Sequence, residues 1–258
     1  MTVANFRDTG GHPTAGGGRV RTGLLYRSTE LSGLNRADSD AIRRLRIRTV
    51  YDLRTDEERI RQPEQDRLPA GIAYVVADVL GNSEGPNPAS FARLLADPRA
   101  ATEALRDERG AAMFESRYRD FVHLPSALAA YRRLFAGLVV DARLPAVVHC
   151  TTGKDRTGWA IAVLLMLLNV PGPVILADFL ASNAALGALS QPMIDGFAAA
   201  GGDPALLVPL VGVRPSYLAA ALDEVATTFG SMDRYLTDGL GLDEALQARL
   251  RARFVAPA

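Results

Sequence analysis

The amino-acid sequence predicts an α/β fold in which a mostly parallel central sheet is flanked by helices. Short β-rich runs alternate along the chain with segments whose apolar residues recur at helical spacing. Such alternation is typical of parallel strands joined by helices on both faces of a sheet. The chain has 258 residues, enough to bury a large core. We therefore expect one domain over residues 1–258.

The strands are predicted from short apolar runs rich in β-branched and aromatic residues. The sequences GLLYR, TVYDL, IAYVV and AVVH give strands at residues 23–27, 49–53, 72–76 and 146–149. The first 20 residues are rich in glycine and predict a loop or hairpin arm.

The helices of the first two thirds are predicted from apolar spacing. In residues 36–46, Ala37, Ala41, Ile42 and Leu45 share one helical face. Residues 81–88 hold two Gly, two Pro and two Asn and predict a loop. The further helices are predicted at residues 89–95, 112–122, 126–138 and 156–168.

The last third of the chain is mostly helical by the same criterion. Residues 182–213 within it are rich in Ala, Gly and Pro and poorly amphipathic. That composition fits either a mobile helical lid over a site or an ordinary connection. The helices are predicted at residues 174–189, 192–200, 215–229, 232–236 and 243–254.

Composition excludes several classes of protein. Lys+Arg and Asp+Glu number 29 each, so no overall positive charge is available to hold nucleic acid or an anionic membrane. A single cysteine excludes an internal disulfide and a four-cysteine zinc cage. No signal peptide is visible, and the most apolar run, 159–168, is too short to span a bilayer. We expect no membrane span and a cytoplasmic location, with secretion by a signal-less route left open.

One short segment concentrates the rare residues of the chain. Of the 29 basic residues 28 are Arg, and the one Lys, Lys154, stands four positions after the one Cys, Cys150. The segment reads HCTTGKDRTG from His149 to Gly158, between a predicted strand and a predicted helix. An open α/β sheet places ligand chemistry at such a position, outside the carboxyl ends of its strands.

The spacing of this segment suits a phosphate pocket. A tight loop from Cys150 to Arg156 can turn backbone N–H groups inward, and the following helix adds the positive end of its dipole. Thr151 and Thr152 lie in this loop, and Gly153 gives the backbone freedom at the bend.

The same positive environment favours a thiolate, and the guanidinium of Arg156 matches two phosphate oxygens. We expect Cys150 to attack phosphorus and form a phosphocysteine that water then hydrolyses. Thr157 can donate its hydroxyl to the thiolate, and His149 is expected to orient the loop through its ring nitrogens.

Cys-x5-Arg-Thr preceded by His resembles the signature loop of cysteine-based phosphatases. The form HCTTGKDRTG resembles the HCxxGKDRTG loop of atypical bacterial tyrosine phosphatases of the B type, which also act on phosphoinositides and carry a helical lid. The resemblance implies the cysteine-phosphatase fold, no cofactor, and phosphotyrosine proteins or phosphoinositides as substrates. Further landmarks of that family follow in the same order at residues 5–8 (NFRD), 26–32 (YRSTELS), 52–54 (DLR), 213–218 (VRPSYL) and 235–236 (YL).

The identity of the proton donor is left open between two carboxylic acids. Asp78 follows a predicted strand and precedes a glycine-rich loop, and it is slightly preferred as the general acid. Asp155 lies in the signature loop, where it can orient water, pair with Arg54 or cap the following helix. Lys154 adds a positive charge that suits a second phosphate on the substrate.

Several arginines and histidines, and the function itself, allow more than one interpretation from the sequence. Arg27 and Arg54 either support the loop or lie on the surface. His12 and His123 have no partner of metal-ligating type nearby in the sequence, so no metal site is expected. A phosphate-binding module without activity is the alternative function, and a rhodanese-type sulfurtransferase is a weaker one. The sequence does not indicate an oligomeric state.

Overall fold

A five-stranded sheet forms the centre of the protein in a computed structural model that describes residues 1–84 and 94–257. Its strand order is β1-β3-β6-β4-β5, and a separate two-stranded sheet pairs β2 with β7. Strands β3, β6, β4 and β5 run parallel, and only the edge strand β1 is antiparallel, so the prediction of a mostly parallel sheet is confirmed. The strands are β1 (Arg7–Asp8), β2 (Arg19–Val20), β3 (Leu25–Ser28), β4 (Thr49–Asp52), β5 (Ala73–Val76), β6 (Ala146–His149) and β7 (Val255–Ala256).

The side chains of alternate residues in the central strands pack into two different hydrophobic cores. Tyr26, Val147 and Val50 lie side by side in register and pack in one cluster with Ile42 of the first helix. Their neighbours along the strands, such as Val148, point into a much larger cluster formed with the later helices. Both faces of the sheet are therefore covered, as expected for parallel strands.

The helices cover this sheet on both faces, as predicted. Short 3₁₀ helices occur at Gln65–Arg67, Asp141–Arg143 and Pro204–Leu207, and a π-helical turn at Tyr235–Gly239. The α-helices are α1 (Arg36–Arg44), α2 (Asp56–Arg61), α3 (Pro98–Leu105), α4 (Arg109–His123), α5 (Pro125–Leu138), α6 (Arg156–Leu167), α7 (Gly172–Ala199), α8 (Val208–Val211), α9 (Pro215–Phe229), α10 (Met232–Arg234) and α11 (Glu244–Phe254).

Helix α6 runs through the larger core and fixes the loop that precedes it. Apart from Met166 all of its side chains are buried, which explains why its sequence is apolar on every side. The indole of Trp159 is fully buried and donates a hydrogen bond to the hydroxyl of Tyr235 at 3.2 Å. The start of α6 is therefore anchored to the π-helical turn.

Several local predictions are corrected by the structure. Helices α2 and α3 were not predicted, and the glycine-rich arm contains the short strands β1 and β2. Residues 85–88 of the predicted loop at 81–88 and residues 89–93 of the predicted helix at 89–95 lie outside the described residues.

The break predicted between residues 189 and 192 is wrong, because α7 continues through Pro192 as one helix of 28 residues. A proline removes one helical hydrogen bond. Here Leu186 and Phe197 are buried on either side of it and hold both turns in place.

The segment predicted as a lid packs on the rest of the protein through a small core of its own. Phe197 of α7 and Leu207 and Leu210 after it are buried together with Ala101 and Leu105 of α3. By length and composition alone α7 could cross a bilayer, a criterion that core helices of folded domains also meet. The absence of a membrane span therefore stays a prediction.

Candidate active site

The signature loop connects the end of β6 to the start of α6 at the carboxyl edge of the sheet. It begins after His149 and ends where Arg156 opens the helix. Gly153 has a φ of +66°, and a Cβ there would lie 2.0 Å from the carbonyl oxygen of Ser28. Only glycine fits this bend. Asn5 of the NFRD segment donates a hydrogen bond to the carbonyl of Thr152 at 3.1 Å and holds the outer side of the loop.

Cys150 lies beneath this loop and is 1% exposed. Thr151, Thr152, Lys154, Asp155 and Arg156 line the cavity above the loop, whereas Cys150 is not among its lining residues. A thiolate at this depth needs cationic neighbours. Burial alone would lower the pKa of Arg156. The charge of Glu58, and to a smaller extent that of Cys150, raises this pKa above its usual range. The charges of Arg156 and Cys150 therefore influence each other.

The guanidinium of Arg156 is held by a carboxylate that the sequence analysis did not identify. Its Nη1 and Nη2 donate hydrogen bonds to Glu58 of α2 at 2.6 and 2.7 Å. The hydroxyl of Thr151 also donates to Glu58. Burial would raise the pKa of Glu58, but Arg156 holds it well below the usual range. The carboxylate thus stays ionised and orients the arginine.

The donor capacity of Arg156 is not exhausted by Glu58. Its remaining contacts are long, 3.3 Å to the carbonyl of Leu53 and 3.4 Å to the hydroxyl of Thr151. Its Nε has no hydrogen-bond partner among the described residues. An incoming tetrahedral anion could accept from Nε and Nη2 without displacing Glu58.

A local signal could have predicted α2 but not this pairing. Thr55 and Glu58 form a capping box, in which each side chain bonds the backbone N–H of the other residue. The sequence TDEE at 55–58 shows that pattern. Nothing local indicates that Glu58 also reaches Arg156, nearly 100 residues later.

His149 is buried in a charged cluster behind the loop. Its Nε2 lies 2.7 Å from Glu64, and its Nδ1 lies 3.0 Å from the carbonyl oxygen of Cys150. Burial alone would lower the pKa of His149, but Glu64 and Asp52 outweigh it and raise the pKa to about 9. The protonated ring pairs with Glu64 through charge and can donate from Nδ1 to the carbonyl of Cys150, so it links the backbone of the loop to the protein interior.

Arg54 completes this cluster and is fully buried. It lies 2.8 Å from Asp52 and 3.0 Å from Glu64, so it supports the loop from behind. The proposed pair of Arg54 with Asp155 does not form. In the described part of the chain, Asp52, Glu64 and His149 are the one group with the spacing of metal ligands. The guanidinium of Arg54 pairs with both carboxylates, so it already occupies the place of a cation in this group.

Arg27 is also buried and links the loop to α7. It donates to the carbonyl of Gly153 at 2.5 Å and lies 3.2 Å from Asp178 of α7. Burial lowers the pKa of Arg27 to about 10, with Arg7 adding to the effect and Asp178 opposing it. Arg7 contacts the carbonyl of Asp178 at 3.0 Å. Arg27 therefore connects α7 to the bend at Gly153.

Lys154 and Asp155 form a pair that faces the cavity. The ammonium of Lys154 lies 2.8 Å from Asp155 and 4.4 Å from the ring centre of Phe114, and the residue is 3% exposed. The hydroxyl of Tyr118 donates to Asp155 at 3.1 Å. Asp155 stands at the N-cap position of α6, but its side chain makes no capping hydrogen bond.

Asp78 and Thr157 are placed differently from the residues of the loop. Asp78 follows β5, is half-buried and accepts a hydrogen bond from the N–H of Leu80 at 2.9 Å. Burial raises the pKa of Asp78. It does not line the cavity above the loop. The hydroxyl of Thr157 is buried and has no hydrogen-bond partner among the described residues.

The cavity above the loop has a volume of about 330 Å³ and largely apolar walls. Leu80, Phe114 and Phe121 line it. Met193 and Leu210, both from the segment predicted as a lid, also line it. A polar floor beneath apolar walls suits a substrate with an anionic group on an apolar body.

Comparison with known proteins agrees with this arrangement. The model of the "Tyrosine phosphatase family" matches residues 1–256. This chain belongs to the tyrosine phosphatase family. The phosphatase resembles two named relatives over nearly its whole length. A tyrosine-protein phosphatase by name from Cupriavidus necator is 37% identical over 257 residues, covering 99% of this chain and 87% of that protein.

The second relative is the triple specificity protein phosphatase PtpB of Mycobacterium tuberculosis. It is 32% identical over 271 residues, covering 96% of this chain and 95% of that protein. Among solved structures, the core catalytic domain of the PP-IP phosphatase SIW14 from S. cerevisiae superposes with a TM-score of 0.36. It is 15% identical and covers 70% of this chain and 77% of that chain.

Proposed function

We propose that this phosphatase hydrolyses phosphotyrosine and phosphoinositide monoesters through a phosphocysteine on Cys150. The arrangement of Cys150 and Arg156 around one tight loop is the observation that carries the proposal. The Cys150 thiolate attacks phosphorus, an S–P bond forms, and the P–O bond to the leaving oxygen breaks. Water then attacks phosphorus, the S–P bond breaks, and inorganic phosphate leaves.

The positioning of Arg156 supports this chemistry. The backbone N–H groups of the loop, the start of α6 and the guanidinium all present positive charge to the three phosphate oxygens. Glu58 fixes the guanidinium beforehand, so little reorganisation is needed when substrate binds. His149 and Arg54 keep the loop in shape from behind.

Asp155 is the better-placed of the two candidate proton donors, because it lines the cavity and Asp78 does not. A proton donor must first be within reach of the substrate, and only then does its pKa decide between candidates. In the first step the protonated acid would give its proton to the leaving oxygen. In the second it would take one from the attacking water.

Asp78 stays a competing prediction, because its raised pKa suits a proton donor. We would compare Asp155→Asn and Asp78→Asn on aryl phosphates with good and poor leaving groups. Loss of the true acid costs about 10²–10⁴ in rate on poor leaving groups and much less on good ones. If only Asp78→Asn shows that pattern, the assignment of Asp155 is wrong.

The substrate class follows from the walls and from Lys154. Phe114 and Phe121 offer aromatic surface to a phosphotyrosine ring. The ammonium of Lys154 adds a positive charge beside the scissile phosphate, which suits an inositol ring with a second phosphate. The segment 182–213 would act as the cover of this cavity. A relative named for triple specificity supports the breadth of this proposal.

The test is a product assay on phosphotyrosine, phosphoserine and phosphoinositide substrates with wild type and Lys154→Met. We expect Lys154→Met to lose more kcat/KM on a bisphosphorylated inositide than on a phosphotyrosine peptide. Methionine keeps the apolar contact with Phe114 and removes the charge. Equal effects on both substrates would contradict the role of Lys154 in the choice of substrate.

A further inference from the structure

A second cavity lies at the opposite edge of the sheet from the catalytic loop. It has a volume of about 470 Å³ and is lined by Arg21, Leu24, Val139, Arg249, Ala252 and Arg253. Leu24 directly precedes β3, whereas Cys150 directly follows the neighbouring parallel strand β6. Four residues of strand at about 3.3 Å each separate the two edges by roughly 13 Å. The cavity is therefore distinct from the active site.

Positive charge dominates the lining of this cavity. Arg249 and Arg253 stand one turn apart on α11, and Arg21 follows β2. The N–H of Arg21 is tied to the carbonyl of Phe254 at 2.7 Å, which holds the arginine against the end of α11. Like charges four residues apart on a helix repel each other. An anion bound between them would relieve this repulsion.

The carboxylates nearby neutralise only part of this charge. Asp141 pairs with Arg253. The guanidinium of Arg249 makes one long hydrogen bond, 3.3 Å to the carbonyl of Val139. The guanidinium of Arg21 has no hydrogen bond or ion pair with any described residue. An excess of two positive charges is left beside the cavity.

We propose that this cavity binds a small organic polyanion that carries at least two phosphate groups. The planar forks of Arg21 and Arg249 each match two oxygens of a phosphate group. Leu24, Val139 and Ala252 give apolar surface for the carbon skeleton between them. The volume lies in the range of sites for small molecules. Binding here needs neither Cys150 nor turnover.

The test uses methylenediphosphonate, which the enzyme cannot hydrolyse, titrated calorimetrically into protein saturated with vanadate to block the active site. Wild type is expected to bind one equivalent. Arg21→Gln/Arg249→Gln is expected to weaken binding by about tenfold or more. Its hydrolysis of para-nitrophenyl phosphate should stay unchanged, because neither arginine touches the catalytic loop.

The control variant Arg36→Gln/Arg44→Gln removes the same charge from the exposed face of α1 and should bind like wild type. Equal loss in both variants, or no saturable binding to the vanadate-blocked protein, would overturn the proposal. Citrate is titrated in parallel as a polyanion without phosphate. If citrate binds as tightly as the diphosphonate, the assignment to phosphate groups is wrong.

Discussion

The carboxylate of Glu58 holds both terminal nitrogens of Arg156, at 2.6 and 2.7 Å. The two residues come from different elements, α2 and α6, and both are buried. An arginine that must bind a phosphate group in one fixed orientation benefits from such a partner, because less side-chain freedom is lost on binding. We therefore propose Glu58 as a positioning residue for Arg156.

Replacement of Glu58 by glutamine should therefore weaken binding of the phosphate group. Glutamine keeps the size but can accept from only one guanidinium nitrogen and carries no charge. We expect kcat/KM to fall by about tenfold to a hundredfold, the loss of one charge-assisted hydrogen bond. Vanadate inhibition should weaken in parallel. The matched control is Glu57→Gln on the exposed face of the same helix, which should behave as wild type.

A merely structural role for Glu58 would give a different result. In that case the melting temperature would fall in Glu58→Gln while vanadate binding per folded molecule stayed constant. That outcome would contradict the positioning role.

Gly153→Ala should disrupt the loop. The new Cβ would lie 2.0 Å from the carbonyl oxygen of Ser28, and the φ of +66° disfavours any side chain. We expect a loss of about 1–3 kcal/mol in unfolding free energy and a larger loss of turnover, since the loop must shift.

Gly187→Ala is the control for this substitution, because it lies within α7 with open space around it. It should stabilise the protein by about 0.5–1 kcal/mol. Urea unfolding and para-nitrophenyl phosphate turnover check both variants. If Gly153→Ala were as active as wild type, the tight bend would not matter to the site.

The charged cluster around His149 predicts a dependence of stability on pH. The pKa of His149 is raised to about 9 in the folded protein, from an ordinary value of 6.5. The protonated ring therefore stabilises the fold fully below 6.5, and this contribution is lost as the pH rises through 9. A shift of this size corresponds to a contribution on the order of 3 kcal/mol.

Urea unfolding at a series of pH values between 6 and 10 measures this contribution. Wild type should lose unfolding free energy over the interval, and His149→Gln should show a flatter profile from a lower starting value. Equal slopes in the two proteins would mean that His149 is not protonated in the fold.

The strands and the signature loop could be predicted from local sequence, because both are encoded in short contiguous patterns. All four predicted strands occur within two residues of their expected ends. The loop residues from Cys150 to Arg156 meet at the predicted edge of the sheet. Local apolar runs determine strands, and the carboxyl ends of parallel strands meet at one edge.

The partners of these residues could not be predicted, because they come from distant parts of the chain. Glu58, Glu64 and Asp178 are ordinary acidic residues until the fold brings them to Arg156, His149 and Arg27. The continuation of α7 through Pro192 likewise depends on the burial of side chains on both sides of the proline. The burial of Cys150 follows from packing under the loop.

The central claim is that Cys150 carries the phosphoryl group during turnover. The most direct measurement is intact-protein mass spectrometry of enzyme quenched rapidly in acid during turnover of para-nitrophenyl phosphate, with the modified peptide mapped. The account predicts one phosphoryl group on Cys150, none in Cys150→Ser, and a loss of turnover of about 10³-fold or more in that variant. Undiminished turnover by Cys150→Ser, or a phosphoryl group on another residue, would contradict it.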